Sequence, residues 1–272
     1  MKVVLFCGGL GLRIQGGTES VPKPMVCVGT RPILWHVMKY YAHFGHDEFV
    51  LCLGYRGDAI KDYFLNYPYR TAFDGKEERP HTVGSDVPDW KITFVDTGRT
   101  ANVGQRLKAV EPHVRDEPEF MANYSDGLTD LPLPTHLAHF RERRAVGTFV
   151  SVRPHLSYHA VEVAGDGLVT DIREIGTTPL RINGGFFVFR PEIFDYIRAE
   201  EDLVNEPFRR LVKERKLAAL EYDGFWQSMD TLKDRQQLEQ ILASGRAPWE
   251  VWAEVRPLAA EVGRPESLSR RP

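Results

Sequence analysis

The chain has 272 residues, 42% of them hydrophobic, which is enough to bury one large core. Its formal net charge is −3 with acidic and basic residues interspersed, which excludes a general electrostatic footprint for nucleic acid or an anionic membrane; a small anionic substrate would need a local basic site. No apolar run has membrane-spanning length, Met1-Lys2 leads straight into a strand rather than a leader, and Cys7, Cys27 and Cys52 lack metal-ligand spacing, so a cytoplasmic protein with reduced core thiols is expected.

Residues 1–6 form an apolar run of strand length that ends in Gly8, Gly9 and Gly11. Residues 32–44 carry Ile33, Leu34, Val37, Met38 and Tyr41 at helical spacing, with Gly45 as the stop, and 48–55 read as a second buried strand. Strand, loop, helix and strand predict a βαβ unit with a parallel pair. A short amphipathic helix over 58–67 follows, and 68–90 lose all periodicity and receive no element. Strands are expected over 91–98 and 120–124, with a loop leading into a helix over 102–110 between them. The second half is richer in alternating strands, over 146–152, 160–163, 169–172 and 185–189. Helices are expected over 191–199, 207–215 and 232–243, the last after a loop over 225–231. The pattern predicts an α/β fold whose sheet begins parallel and ends with antiparallel members. Trp35, His36, Phe186, Phe187 and Phe189 are assigned to the core, and His43, His46 and His113 to the surface.

The glycines stand at the carboxyl end of the first strand, where open α/β sheets bind ligands, and residues without Cβ let a polyphosphate approach backbone N–H groups. Arg13 and the Lys23 of Pro22-Lys23-Pro24-Met25 add positive charge to the same place. The spacing is not that of a dinucleotide fingerprint, which disfavours an oxidoreductase, and no Gly-Lys-Ser/Thr follows as a P-loop requires. Asp126 and Asp230 are hard oxygen donors of the kind Mg²⁺ prefers, each after an apolar segment. Taken singly, each has a bland reading: Asp126 or Asp230 as a helix cap, Lys23 as a solvated turn residue, Arg13 as a surface residue.

Four segments occur in one order: Gly8-Gly9-Leu10-Gly11-x-Arg13 with Pro22-Lys23-Pro24-Met25; Tyr124-x-Asp126-Gly127; Ile182-Asn183-Gly184-Gly185-Phe186-Phe187; and Gly224-Phe225-Trp226-Gln227-x-Met229-Asp230-Thr231. With Pro32-Ile33-Leu34-Trp35-His36 and Val95-Asp96-Thr97-Gly98, this series resembles the glucose-1-phosphate cytidylyltransferases, a branch of the sugar nucleotidyltransferases. The likeness covers 1–254 as one nucleotidyltransferase domain and leaves 255–272 as a tail. It implies a Rossmann-like three-layer α/β/α fold with a mixed, mainly parallel central sheet, and Mg²⁺-dependent transfer of CMP from CTP to a sugar 1-phosphate with release of pyrophosphate. It also implies a homo-oligomer. On this reading Gly8, Gly9, Gly11 and Leu12 offer backbone donors to the nucleotide, Arg13 meets the departing pyrophosphate and Lys23 the α-phosphate, both as catalytic groups. Gly104 and Arg106 match a nucleotide-contacting position, and Asp126 and Asp230 share one metal ion. His159, Glu174, Asn183 and Gly184 are assigned to the acceptor.

Three positions depart from the family pattern. Leu12 stands where the family has threonine, Ile175 where it has the lysine that holds the sugar phosphate, and His159 where it has glycine against the sugar ring. Loss of that lysine forfeits a charge-assisted bond of about 1.5–3 kcal/mol. Arg173 and Arg181 are the nearby cations that could replace it. The resulting expectation is an intact CTP half and an altered acceptor half, suited to a modified sugar phosphate or another phosphorylated or phosphonylated small molecule. The alternatives are a non-catalytic nucleotide-binding or regulatory homologue, or an enzyme using dTTP or UTP.

Overall fold

A computed structural model describes residues 1–9, 21–65, 71–73, 78–82, 90–155 and 158–253. In chain order it gives β1 (Val3–Phe6), β2 (Cys27–Val28), β3 (Arg31–Pro32), α1 (Ile33–His43), β4 (Glu48–Leu53), α2 (Gly57–Leu65), β5 (Thr71–Phe73), β6 (Glu78–Thr82) and β7 (Lys91–Asp96). Then come α3 (Val103–Ala109), α4 (Glu111–Val114), β8 (Phe120–Tyr124), β9 (Gly127–Thr129), α5 (Leu133–Arg143), β10 (Gly147–Val152), β11 (His159–Val163), β12 (Val169–Glu174), β13 (Ile182–Asn183) and β14 (Phe187–Phe189). The described chain ends with α6 (Glu206–Lys213), β15 (Leu217–Tyr222), β16 (Trp226–Ser228) and α7 (Leu232–Ala243).

The main sheet runs β13-β10-β14-β8-β1-β4-β7-β6-β5, with β15 also paired to β10. Its centre is parallel: β1 lies between β4 and β8, Leu5 opposite Leu51 on one side and Asn123 on the other. The β14–β8 and β14–β10 pairs are antiparallel, so the sheet is mixed as expected. All four residues of β1 are buried, and they divide with the period of a strand. Val3 and Leu5 pack with α1 and Trp249, whereas Val4 and Phe6 pack with Leu107, Phe194, Phe208 and Leu211. Two cores on opposite faces of one sheet make the three-layer α/β/α architecture. The assigned core residues Trp35, His36, Phe186, Phe187 and Phe189 are all buried. Cys7 and Cys52 are buried too, while Cys27 is half-buried; all three are free thiols. No helix among the described residues is long and apolar enough to cross a membrane.

Three local expectations change, and one strand, β15, falls where no element is expected. Within 68–90, β5 and β6 form an antiparallel hairpin on the edge of β7, a pairing made by backbone groups that leaves no periodic trace in the sequence. β15 joins the sheet although Leu217-Ala218-Ala219-Leu220-Glu221 carries good helix formers, because pairing to β10 outweighs intrinsic propensity. The helix expected over 191–199 is only a 3-10 turn at Pro191–Asp195, which closes with Tyr196 N–H donating to Ile193 O (3.0 Å). The loop expected over 225–231 contains β16, and that short strand builds the site.

Candidate active site

The β9–β16 pair explains how two carboxylates so distant in sequence meet. Ser228 lies opposite Gly127 in this antiparallel ladder, and Met229 N–H donates to Asp126 O (3.0 Å). Asp126 and Asp230 therefore flank the same ladder end. Ser125 Oγ donates to Phe6 O (2.9 Å) and ties the Asp126 turn to the end of β1. The third member arrives on a 3-10 turn, Lys23–Met25, whose entry is fixed by Pro22 before it and Pro24 within it. Lys23 Nζ donates to Asp230 Oδ1 (2.7 Å) and forms an ion pair with Asp126 Oδ2. Burial works against this ammonium, but Asp126 and then Asp230 outweigh it, and its pKa lies above the ordinary lysine value.

These contacts displace the bland readings of Asp126, Asp230 and Lys23. Asp126 caps no helix, since Gly127 begins a strand. The N-cap of α7 is Thr231, not Asp230: Asp234 N–H donates to Thr231 Oγ1 (3.2 Å) and Thr231 N–H to Asp234 Oδ2 (2.7 Å), a reciprocal capping box. Asp230 Oδ2 accepts from Ser228 Oγ (2.8 Å), which orients its carboxylate. Lys23 is turned inward, its side chain 17% exposed.

Two hollows meet at this carboxylate pair. The smaller, about 450 Å³, is lined by Phe6, Gly9, Lys23, Asn102, Arg106 and Ser125, among others. The larger, about 1520 Å³, is lined by Asn183, Gly184, Trp226 and the roots of β11 and β12. Tyr124, Asp126 and Asp230 belong to both. The carboxylate pair is thus part of the wall of both hollows.

In the smaller hollow Gly9 lines the wall, with open space where a Cβ would stand. Gly8 is placed differently: a Cβ there would meet Arg106 Nη1 at 2.0 Å. The Arg106 guanidinium is buried and runs beneath the turn, Nη2 donating to Gly8 O (3.0 Å) and Nη1 to Thr97 Oγ1 (2.7 Å), Gly98 O (3.0 Å) and Leu53 O (3.1 Å). It fastens the end of β1 to the ends of β4 and β7. Sequence reasoning placed Arg106 at the nucleotide but did not foresee this brace, because its four acceptors come from three separate strand ends. Gly104 packs against the 201–203 backbone, where a Cβ would meet Glu201 O at 2.2 Å, and does not line the hollow. Gly11, Leu12 and Arg13 lie outside the described residues.

The residues expected at the acceptor, His159, Glu174, Asn183 and Gly184, all line the larger hollow. His159 and Glu174 are register partners at the root of the β11–β12 hairpin. Gly184 sits under the indole, Trp226 Nε1 donating to its carbonyl (2.9 Å). The two cations offered as replacements for a phosphate-holding lysine are engaged elsewhere. Arg173 pairs with Asp171 and Glu162 on the exposed hairpin, and Arg181 with Asp223 and Glu221; neither lines the hollow.

The donor set fits Mg²⁺. Asp126 and Asp230 direct carboxylate oxygens at one cation, Lys23 Nζ, and no group of three or more His, Cys, Asp or Glu among the described residues could close a metal site. Magnesium is commonly held by one or two carboxylates with the remaining positions left to water and substrate phosphate.

Fold and site together define a nucleotidyl transferase, and the profile of the family described by that name matches residues 2–238. The chain is 37% identical over 260 residues to glucose-1-phosphate cytidylyltransferase of Salmonella typhimurium, covering 93% of this chain and 100% of the relative. It is 34% identical over 257 residues to a Bacillus subtilis protein described as a probable glucose-1-phosphate cytidylyltransferase, with coverage of 93% and 100%. The chain belongs to the glucose-1-phosphate cytidylyltransferase family of sugar nucleotidyltransferases. Two solved structures share the fold: UDP-glucose pyrophosphorylase complexed with UDP-glucose (TM-score 0.66, 15% identity, 90% of this chain and 99% of that one), and HddC from Yersinia pseudotuberculosis with GMP-PN (TM-score 0.63, 18%, 89% and 99%).

Proposed function

We propose that the protein transfers CMP from CTP to a sugar 1-phosphate or a related phosphorylated or phosphonylated small molecule, with release of pyrophosphate. The observation that carries this reading is the convergence of Asp126, Asp230 and Lys23 at the shared wall of two hollows. The reaction needs no protein nucleophile, because the acceptor's own phosphate oxygen attacks the α-phosphorus as the bond to pyrophosphate breaks. The protein must align two polyanions and offset their charge. CTP takes the smaller hollow, its phosphates against the Gly8-Gly9 turn, and the acceptor takes the larger. Lys23 leaves the carboxylates for the α-phosphate, where charge grows in the transition state. Mg²⁺ held by Asp126 and Asp230 would neutralise phosphate charge at the same wall. Arg13, by its place in the glycine motif, meets the departing pyrophosphate.

The acceptor half is proposed to differ from that of enzymes acting on plain glucose 1-phosphate. Ile175 brings no charge, His159 adds a side chain to the wall, and Arg173 and Arg181 are paired with carboxylates outside the lining. Self-association belongs to the same reading, which accords with the exposed Val161, Val163, Val169 and Ile172 of the hairpin; sedimentation measures it.

The test is a matrix of CTP, dTTP and UTP against a panel of sugar phosphates and phosphonates, read by pyrophosphate release with Mg²⁺ present. Turnover with CTP and an acceptor other than glucose 1-phosphate is expected. Efficient turnover of glucose 1-phosphate removes the altered acceptor half, preference for dTTP or UTP overturns the choice of base, and CTP binding without any turnover leaves a binding protein.

A further inference from the structure

The acceptor reaches the site as a phosphate monoester or phosphonate, and its charge must be met before one of its oxygens can approach a second phosphate. The larger hollow is poorly supplied for that. Its lining holds Asp126, Asp230, Asp234 and Glu174, but among the described residues only one lysine or arginine, Lys233. Lys23 opens onto the smaller hollow and is engaged by the two aspartates. Asp234 is spent on the start of α7, accepting from Asp230 N–H (3.0 Å) and Thr231 N–H (2.7 Å), so its carboxylate is held by the helix end.

Lys233 is the second residue of α7 and follows Asp230 by three positions. Side chains on a helix lean toward its N-terminus, which here is the end carrying Asp230. The ammonium is exposed and makes no ion pair among the described residues. Farther along the same face of α7, Gln237, Gln240 and Ser244 also line the hollow, at the spacing of one helical stripe. One end of the stripe is cationic and adjoins the carboxylate pair; the rest is neutral and suited to hydroxyl groups.

We propose that Lys233 seats the acceptor's phosphate or phosphonate, and so fixes the acceptor class as an anionic polyhydroxy compound entering along α7. This rests on the reading that the larger hollow receives the acceptor. Lys233 supplies from the helix the charge that the hairpin wall lacks.

The experiment compares wild type with Lys233→Met, Lys233→Arg and Arg173→Ala, using glucose 1-phosphate and glucose as calorimetric probes, and pyrophosphate release from CTP with the best acceptor of the panel. The expected result is that Lys233→Met weakens glucose 1-phosphate binding and raises the acceptor KM by about tenfold or more, the size of a lost charge-assisted bond, with the CTP KM within about twofold. Lys233→Arg restores most of the loss, and Arg173→Ala changes neither value. Glucose 1-phosphate binding no tighter than glucose, or equal in wild type and Lys233→Met, overturns the proposal even when pyrophosphate release stands. Lys233-dependent binding without pyrophosphate release from any acceptor keeps the anion seat and overturns the transferase reading instead.

Discussion

The smaller hollow is built on the parallel centre of the sheet, at the ends of β1, β4 and β7, and a buried guanidinium pins those ends together. The larger hollow is walled by short antiparallel pieces: β13, the β9–β16 pair, and a hairpin whose outer residues are exposed. The difference separates two demands. A polyphosphate bound by backbone groups needs those groups held rigidly, because a displaced N–H cannot be replaced by another rotamer. An acceptor is selected by side chains, and those can change on a hairpin or a helix face without disturbing the core.

The contrast breaks most sharply at the shared wall. Asp230→Asn or Asp126→Asn is expected to lower pyrophosphate release on the order of a thousandfold while moving the unfolding midpoint far less, since the remaining carboxylate still pairs with Lys23 and the lost charge acts chiefly in the reaction. Loss of folding instead would make the pair a structural feature.

The brace predicts the reverse signature. Arg106→Ala strands the carbonyls of Gly8, Leu53 and Gly98 and is expected to cost roughly 3 kcal/mol in urea denaturation, with CTP affinity falling and acceptor KM less affected. A stable Arg106→Ala protein with normal CTP binding would refute the brace. Gly8→Ala drives a methyl into the same guanidinium and is expected to cost about 1–3 kcal/mol. Combined with Arg106→Ala, that cost should shrink, because the clash has lost its partner.

The most gradual effect concerns acid. His36 lies on the buried face of α1, with Trp249 Nε1 donating to its Nδ1 (3.4 Å), which leaves Nε2–H to donate to Val28 O (3.1 Å). Burial lowers its pKa from 6.5 to about 4. The unfolded chain therefore binds the proton first as pH falls, so this contribution is intact above pH 6.5 and declines by up to about 1.4 kcal/mol per pH unit down to about 4, flattening below. Urea midpoints measured across that window should show the slope in wild type and a shallower one in His36→Gln.

Strands with a buried run or clear alternation, such as β1, β4 and β7, were legible because burial on one or both faces stamps a pattern on the residues. β9 and β16 were not: three residues hold no period, and their pairing is a contact between distant segments. The identities of Asp126, Asp230 and Lys23 could be read as chemistry, whereas their convergence depends on that ladder. The Arg106 brace was hidden for the same reason, and Lys233 because a lysine in a helix's first turn is ordinarily solvated.

The most direct test of the central claim is a double-mutant cycle on Asp126 and Asp230, read by pyrophosphate release from CTP at saturating Mg²⁺. If both carboxylates serve one charge between the two hollows, Asp126→Asn/Asp230→Asn will be scarcely slower than either single variant. Losses that multiply across the cycle would show two independent roles and contradict the convergence on which the account rests.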